Sequence, residues 1–385
     1  MAPDILTQIV LGAWVLVAAF ACFGVYNVQR DRPPLVIAHP TGMVLIIPIR
    51  GIPAHFDALW RGICEQTDRP CRVIFAIENA QDPILPVLQA LSGGPVVEIV
   101  MAGPTTHHAQ KVHNQLAALR VLHPDETIIA FADADVVPDP NWLARLLRNF
   151  DQDSMASGYR WMVPTDDRWA TMFVCAINSS VATIPRRAWS LAWGGSMVIH
   201  RKTLEALPIE KCWDRAVLDD LPLTRCMKAR GIPVRAPRDC LVHSPVSYGW
   251  MDALAFGRRQ YMFIRTHSPL HWAMAATATT VPLLGWVVAL PLAIKGSVPA
   301  LGVIVAANAL DHLRAYFRRR VGRKLWGTEM ARPVAWLDSW GTPAVLAVHA
   351  LVIWSALFGR SIYWAGRTYW VNARGDVVRV ETSDA

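Results

Sequence analysis

Charged residues are scarce in this chain of 385 residues: Lys, Arg, Asp and Glu make up 18%, against 53% hydrophobic residues. With a mean hydropathy of +0.26, that balance is unusual for a wholly soluble domain and implies membrane segments. There is no G-x-G-x-x-G and no Walker A motif, so dinucleotide and P-loop chemistry lose support. The seven cysteines (Cys22, Cys64, Cys71, Cys175, Cys212, Cys226 and Cys240) are odd in number and contain no C-x-x-C pair. A disulfide framework or zinc site is therefore not expected, and a reducing compartment is the default for the soluble part. The net charge of +8 is not clustered as in a nucleic-acid binder, because the arginines gather beside hydrophobic runs. Nucleic acid is excluded as a partner; an anionic membrane face or a phosphate-bearing substrate fits.

What is present begins with the hydrophobic runs. Ile5 to Tyr26 carries no charge and is long enough to span a bilayer, which takes about 20 residues. Ala19-Phe20-Ala21 resembles a signal-peptide cleavage site, but Asp4 precedes the run and no Lys or Arg does, so 5–28 reads as an uncleaved anchor. Arg30, Asp31 and Arg32 follow it, which orients the next domain to the cytoplasm and the chain as an integral protein of, for instance, a bacterial inner membrane. Pro269 to Ile294 is a second span, and Ser297 to Leu310 is a shorter run extendable to Tyr316, so 269–316 reads as a transmembrane or re-entrant hairpin. Arg314, Arg318, Arg319, Arg320, Arg323 and Lys324 come next, then a further span at 339–359 and a basic tail at 360–385. Four single crossings would put that tail outside, against the positive-inside rule, so one of the last two segments is expected to re-enter. His349, in an apolar helix, reads as a satisfied interior histidine.

Between the anchor and the second span, 33–265 reads as an α/β domain. Apolar strands are expected at 44–48, 72–77, 96–100 and 127–131, with helical patterns at 55–64 and 111–121 between them, which implies βαβ units and a mainly parallel sheet. The fourth strand ends on Asp133 and Asp135, after which Pro138-Asp139-Pro140 turns into a helix. Ligands of open α/β sheets bind beyond the carboxyl ends of the strands. Two carboxylates there suit Mg²⁺ or Mn²⁺ held jointly with a nucleotide diphosphate; a solvated acidic turn is the plainer alternative. Arg50, Asp82 and Lys111 follow other strands or open a helix on the same edge. Lys111 suits a phosphate or, equally, water.

Two later stretches add chemistry. Trp193-Gly194-Gly195 precedes the apolar run Met197 to Ile199; a Gly pair there permits close approach of a ligand or makes a tight turn. Asp219 and Asp220 are adjacent in an apolar setting, so one faces the cleft while the other binds backbone or an Arg. A carboxylate so placed is a candidate base, and Asp220 is also a candidate helix N-cap. Arg258, Arg259 and Gln260, just before the second span, suit either a diphosphate or a membrane anchor.

In order, these pieces resemble the ceramide-glucosyltransferase-like family of membrane-bound, inverting GT-A glycosyltransferases, with its hopanoid-associated and other bacterial glycolipid relatives. The resemblance covers about 40–375 and includes Tyr159-Arg-Trp-Met-Val-Pro164, Ala192-Trp-Gly-Gly-Ser-Met197 and Arg360 to Tyr369. It implies a GT-A fold with N- and C-terminal transmembrane helices, Asp82 and Asp133 on the nucleotide-sugar, and Asp135 as metal ligand. It also implies Asp220 as base, with Trp193, Gly194, Gly195 and Asp219 lining the donor and acceptor pocket. The expected donor is a UDP-hexose and the expected acceptor a membrane lipid such as ceramide. The family's Q-x-x-R-W is replaced by Arg258-Arg259-Gln260-Tyr261, with Tyr where Trp is usual. That departure favours a single transfer over processive polysaccharide synthesis; a non-catalytic nucleotide- or lipid-binding protein is the rival from another class.

Overall fold

The computed structural model describes residues 4–30, 41–148, 150–184, 190–237 and 239–382. Asp31 and Arg32, used above for orientation, fall outside them. In chain order the elements are α1 (Ile5–Gln29), β1 (Met43–Pro48), α2 (Phe56–Cys64), β2 (Arg72–Ile77), α3 (Leu85–Gln89), β3 (Val96–Met101), α4 (Gln110–Leu119), β4 (Ile128–Ala132) and α5 (Trp142–Arg148). Next are β5 (Met155–Ser157), β6 (Tyr159–Pro164), α6 (Trp169–Ala182), β7 (Ser196–His200), α7 (Arg201–Glu205), α8 (Ile209–Cys212), α9 (Asp220–Lys228), β8 (Val234–Arg235) and β9 (Leu241–Val246). The chain then forms α10 (Trp250–His267), α11 (Pro269–Ile294), α12 (Val298–Trp326), α13 (Arg332–Ser339), α14 (Thr342–Ser355), β10 (Ser361–Trp364), β11 (Arg367–Val371) and β12 (Val377–Thr382). These elements fall into two units, one taking the described residues of 1–32, 162–185 and 246–359 and the other those of 33–161, 186–245 and 360–385.

The second unit carries a seven-stranded sheet in the order β3-β2-β1-β4-β7-β5-β8. β1 pairs in parallel with both β2 and β4, and β2 with β3. β7 runs antiparallel to β4 and β5. The sheet is thus mixed and mainly parallel, as the alternating strands and helices imply. Helices cover it, so β1 and β2 are buried along their whole length, which is why they read as unbroken apolar runs. Helix α2 buries Phe56, Leu59 and Ile63 at helical spacing in the core that includes Phe75, Trp142 and Val198. The Asp139 carboxylate accepts from the backbone N–H of Asn141 and so turns the chain into α5.

Two features of this unit differ from expectation. Cys212 and Cys226 form a disulfide with Cα atoms 6.0 Å apart, whereas the sequence suggested unpaired thiols. The pair carries no spacing signature; it meets because α8 packs on α9. The C-terminal segment expected as a basic tail forms a three-stranded antiparallel sheet, β10-β11-β12, in the same unit as the seven-stranded sheet. Its buried residues alternate, with Ile362 on β10 and Arg367, Tyr369 and Val371 on β11 facing inward.

The other unit is helical. α1 packs along α12 and α11 around Leu11, Trp14, Ala289, Ala300 and Ala307. Gly285 leaves room for the Trp14 ring, which would stand 2.5 Å from a Cβ there. α1 and α11 are long and apolar enough to cross a membrane, and α13 and α14 make a third such run bent by 87°. Many of their large apolar side chains are exposed, among them Leu16, Phe20, Val287 and Leu351, as suits helices facing lipid. Inside the unit Arg314 pairs with Asp311 at 2.7 Å, and Arg318 pairs with Asp338 and donates to Thr183 Oγ1.

Candidate active site

The carboxyl ends of β1, β2 and β4 share one edge of the sheet because the three strands are parallel neighbours. Asp133 and Asp135 follow β4 there. Lys111, in the first turn of α4, reaches both Asp133 Oδ1 at 2.7 Å and Asp219 Oδ1 at 3.0 Å. Arg160 of β6 approaches Asp133 Oδ2 at 3.5 Å and Asp135 Oδ2 at 4.0 Å, and its guanidinium lies over the Trp193 ring. Asp219 is fully buried and also accepts from Gln115 Nε2 at 2.8 Å. Asp220 is half-buried and accepts from the backbone N–H of Gly194 at 3.0 Å and of Leu221 at 2.6 Å.

The glycine pair is explained by these carboxylates. A Cβ on Gly194 would sit 2.4 Å from Asp219 Oδ2, and one on Gly195 would sit 2.7 Å from Asp133 Oδ2. The backbone therefore passes between the two acids, where no side chain fits. Helix α4 is built to the same end. Its buried face carries Gln110, Asn114 and Gln115, polar residues that bond Gly103 O, Ala76 O and Asp219. Helix α9 begins at Asp220, with Asp219 preceding it and making no side-chain cap. The capping role considered for Asp220 thus reduces to its bond with Leu221 N–H.

Of the expected residues, Lys111, Asp133, Asp135, Trp193, Gly194, Gly195, Asp219 and Asp220 come together. Asp82 lies in the loop after β2, on the same edge of the sheet. Its carboxylate accepts from the backbone N–H groups of Gly51 and Ile84, so it shapes the loops after β1 and β2. Arg50 donates to the carbonyl of Ala365 in the C-terminal sheet. Arg258, Arg259 and Gln260 lie on α10 in the helical unit. There Arg258 donates to Phe358 O, beyond the end of α14, and Arg259 stacks over Phe256. Tyr261, standing where Trp is usual, bonds His349 Nε2, which supplies that interior histidine with its partner. Sequence reading did not single out Arg160 or Gln115; the signal for Arg160 was the Tyr159 to Pro164 block that contains it.

The site's electrostatics follow from this crowding. Burial by itself would lower the pKa of the Lys111 ammonium, but the carboxylates of Asp133, Asp219 and Asp220 outweigh it and hold the group protonated well above its ordinary range. Asp133 is opposed by burial, yet Lys111 and Arg160 keep its carboxyl below the usual carboxylate range. Burial first, and the charge of Asp219 second, push Asp220 up to about 7. Four carboxyls face two cations, so the ionised cluster carries two surplus negative charges. That surplus, together with the side chain of Asp135 at 57% accessibility, fits a divalent cation with hard oxygen ligands. Among the described residues no three His, Cys, Asp or Glu side chains form a ready metal cage. Mg²⁺ completing its shell with diphosphate oxygens needs only one or two carboxylates.

Comparison with known proteins narrows the reading. A search of curated proteins found no match. Among solved structures, the mannosyltransferase PcManGT from Pyrobaculum calidifontis, in complex with GDP-Man and Mn²⁺, is similar at 16% identity and a TM-score of 0.49, covering 84% of this chain and 100% of its own. Glucosyl-3-phosphoglycerate synthase from Mycobacterium tuberculosis, in complex with Mn²⁺ and UDP-glucose, is similar at 14% identity and a TM-score of 0.40, covering 62% of this chain and 84% of its own. The profile of glycosyl transferase family 21 matches residues 7–377. A mainly parallel sheet, an acidic cluster at its strand ends and a profile match over nearly the whole length agree: the chain is a glycosyltransferase and belongs to glycosyl transferase family 21.

Proposed function

We propose that this glycosyltransferase moves one hexose from a nucleotide-sugar, UDP-linked as in the family it resembles, to the hydroxyl of a membrane lipid, with inversion. The observation that carries this reading is the meeting of Asp133, Asp135, Lys111 and the Asp219-Asp220 pair around the Gly194-Gly195 turn. Asp133 and Asp135 would hold Mg²⁺ or Mn²⁺, which when bound supplies positive charge to the departing diphosphate. Lys111 fixes Asp133 and Asp219 relative to each other. Gly194 N–H orients one oxygen of the Asp220 carboxylate. Ionised Asp220 takes the proton of the acceptor hydroxyl as that oxygen attacks the anomeric carbon; the nucleoside diphosphate leaves with the bonding pair. Asp82 orders the donor edge through Gly51 and Ile84.

A lipid acceptor is supported by the apolar helices α1 and α11. The chain leaves the catalytic unit at Val246 and rejoins it at Arg360, which supports a topology in which the helices between cross an even number of times. In this reading α11 and α12 form a hairpin and the bent α13–α14 pair dips and returns, with the catalytic unit and the C-terminal sheet both cytoplasmic. Reporter fusions after β12 and within 33–161 should report the same side; opposite sides would refute it. The central test incubates membranes holding the enzyme with individual UDP-sugars and lipid extract, with and without EDTA, and identifies products by mass spectrometry. A lipid gaining one hexose, lost on chelation, is expected. UDP release with no lipid product, or polymeric sugar, would overturn the reading.

A further inference from the structure

We propose that the C-terminal sheet β10-β11-β12 is a working part of the donor pocket, and that Arg367 is its positioning residue for the nucleoside diphosphate. This rests on the donor reading above. Arg367 opens β11 and is buried, its side chain 7% exposed. Its forked guanidinium donates to Glu78 Oε1 at 2.6 Å and to Gln110 Oε1 at 2.7 Å. Glu78 is the residue immediately after β2. Gln110 is the first residue of α4 and the neighbour of Lys111, which grips Asp133 and Asp219. The same Gln110 amide donates to Gly103 O just beyond β3, and Gly103 N–H donates to Glu78 O. One guanidinium therefore ties together the exits of β2 and β3 and the start of the lysine-bearing helix.

Two further contacts extend the seat. The β10–β11 turn, Ala365-Gly366, has both residues at positive φ, 52° and 73°, and presents the Ala365 carbonyl to Arg50 at the exit of β1. At the far end of the sheet, Val377 N–H donates to Arg215 O at 2.7 Å, and Asp376 bridges to Ala216. Ala216 O in turn accepts from Ala109 N–H, directly before α4. Arg215 and Ala216 lead into Asp219 and Asp220. The C-terminal sheet thus holds the segments that follow β1, β2 and β3, open α4 and lead to the base, which are the segments beyond the strand ends where an α/β sheet takes its ligand. A buried fork that neutralises Glu78 also keeps an unpaired carboxylate away from the donor's phosphates.

The test compares the full-length enzyme with R367Q and R367K, titrating UDP and, separately, GDP, each with Mn²⁺, by calorimetry. R367Q is expected to weaken nucleotide binding and raise donor KM by about 10-fold or more, the range seen when supporting partners of a site are removed, with acceptor KM unchanged; the broken buried pair also lowers the melting temperature, so binding and KM are measured well below it. R367K, which keeps the charge but not the fork, should fall between. On the unmodified enzyme, hydrogen–deuterium exchange in 361–371 should slow when nucleotide is added, a readout that holds even if R367Q folds poorly. Nucleotide binding by R367Q equal to that of the unmodified enzyme, or exchange in 361–371 indifferent to nucleotide, would overturn the proposal. Failure of the unmodified enzyme to bind either diphosphate would instead remove the donor reading, and this inference with it.

Discussion

Two buried charge clusters in this molecule invite comparison. In the helical unit Asp311, Arg314, Arg318 and Asp338 make a set of two acids and two bases, each 12% exposed or less at the side chain. In the catalytic unit Asp133, Asp135, Asp219 and Asp220 face only Lys111 and Arg160. The first cluster is neutral within itself, and its partners are fixed neighbours on α12 and α13, with Thr183 beside them. Its charges balance among its own members, and it acts as an internal brace. The second, with all its carboxyls ionised, is left two negative charges in excess, and the Asp135 side chain is 57% exposed. Burying such an imbalance is costly unless a cation arrives. The difference teaches that burial of charge alone does not mark a site; the uncompensated remainder does.

That contrast can be broken at its strongest point by Asp220→Asn. A general base typically contributes about 10²–10⁴-fold, so turnover should fall by that much while UDP binding, measured by calorimetry, stays. Near-normal turnover would strip Asp220 of its role. The neutral cluster should respond oppositely. Asp338→Ala leaves Arg318 buried without its carboxylate and should cost about 3–5 kcal/mol, seen as a lower melting temperature in detergent with donor KM unchanged. The paired replacement Arg318→Met with Asp338→Leu should recover most of that loss, since an apolar pair can substitute for a buried ion pair. A donor KM that shifts with Asp338 would show that the two clusters are not separate in function. The mildest test is pH. Asp220 accepts a proton only when ionised, and its carboxyl is raised to about 7. Below that value kcat/KM should drop about tenfold per pH unit, and above it level off. A profile flat down to pH 5 would place the base elsewhere.

Much of this was legible in the sequence because burial on both faces leaves a plain mark. The strands β1, β2 and β4 are apolar runs that stop at polar residues, and their alternation with helices gives the parallel sheet. The acids could be named for the same reason: Asp133, Asp135, Asp219 and Asp220 each follow or interrupt an apolar stretch. What could not be read was pairing. Nothing in the order of residues says that Lys111 bridges Asp133 and Asp219, or that Arg160 comes to Asp135, since these contacts are set by how distant strands lie side by side. Cys212 and Cys226 escaped notice for a similar reason. The C-terminal sheet was hidden differently. Arg360, Arg367 and Arg374 made 360–385 look like a solvated basic tail, although Ile362, Arg367, Tyr369 and Val371 follow the alternation of half-buried strands around a turn containing Gly366.

The order of synthesis gives that last sheet one more meaning. β10, β11 and β12 leave the ribosome after all the helices of the membrane unit have been made, yet Arg367 must reach back to Glu78 and Gln110. A nascent chain made only as far as α14 lacks the arginine that joins Glu78 to Gln110. The segments after β2 and β3 and the start of α4 therefore receive their common tie only once translation has passed Arg367.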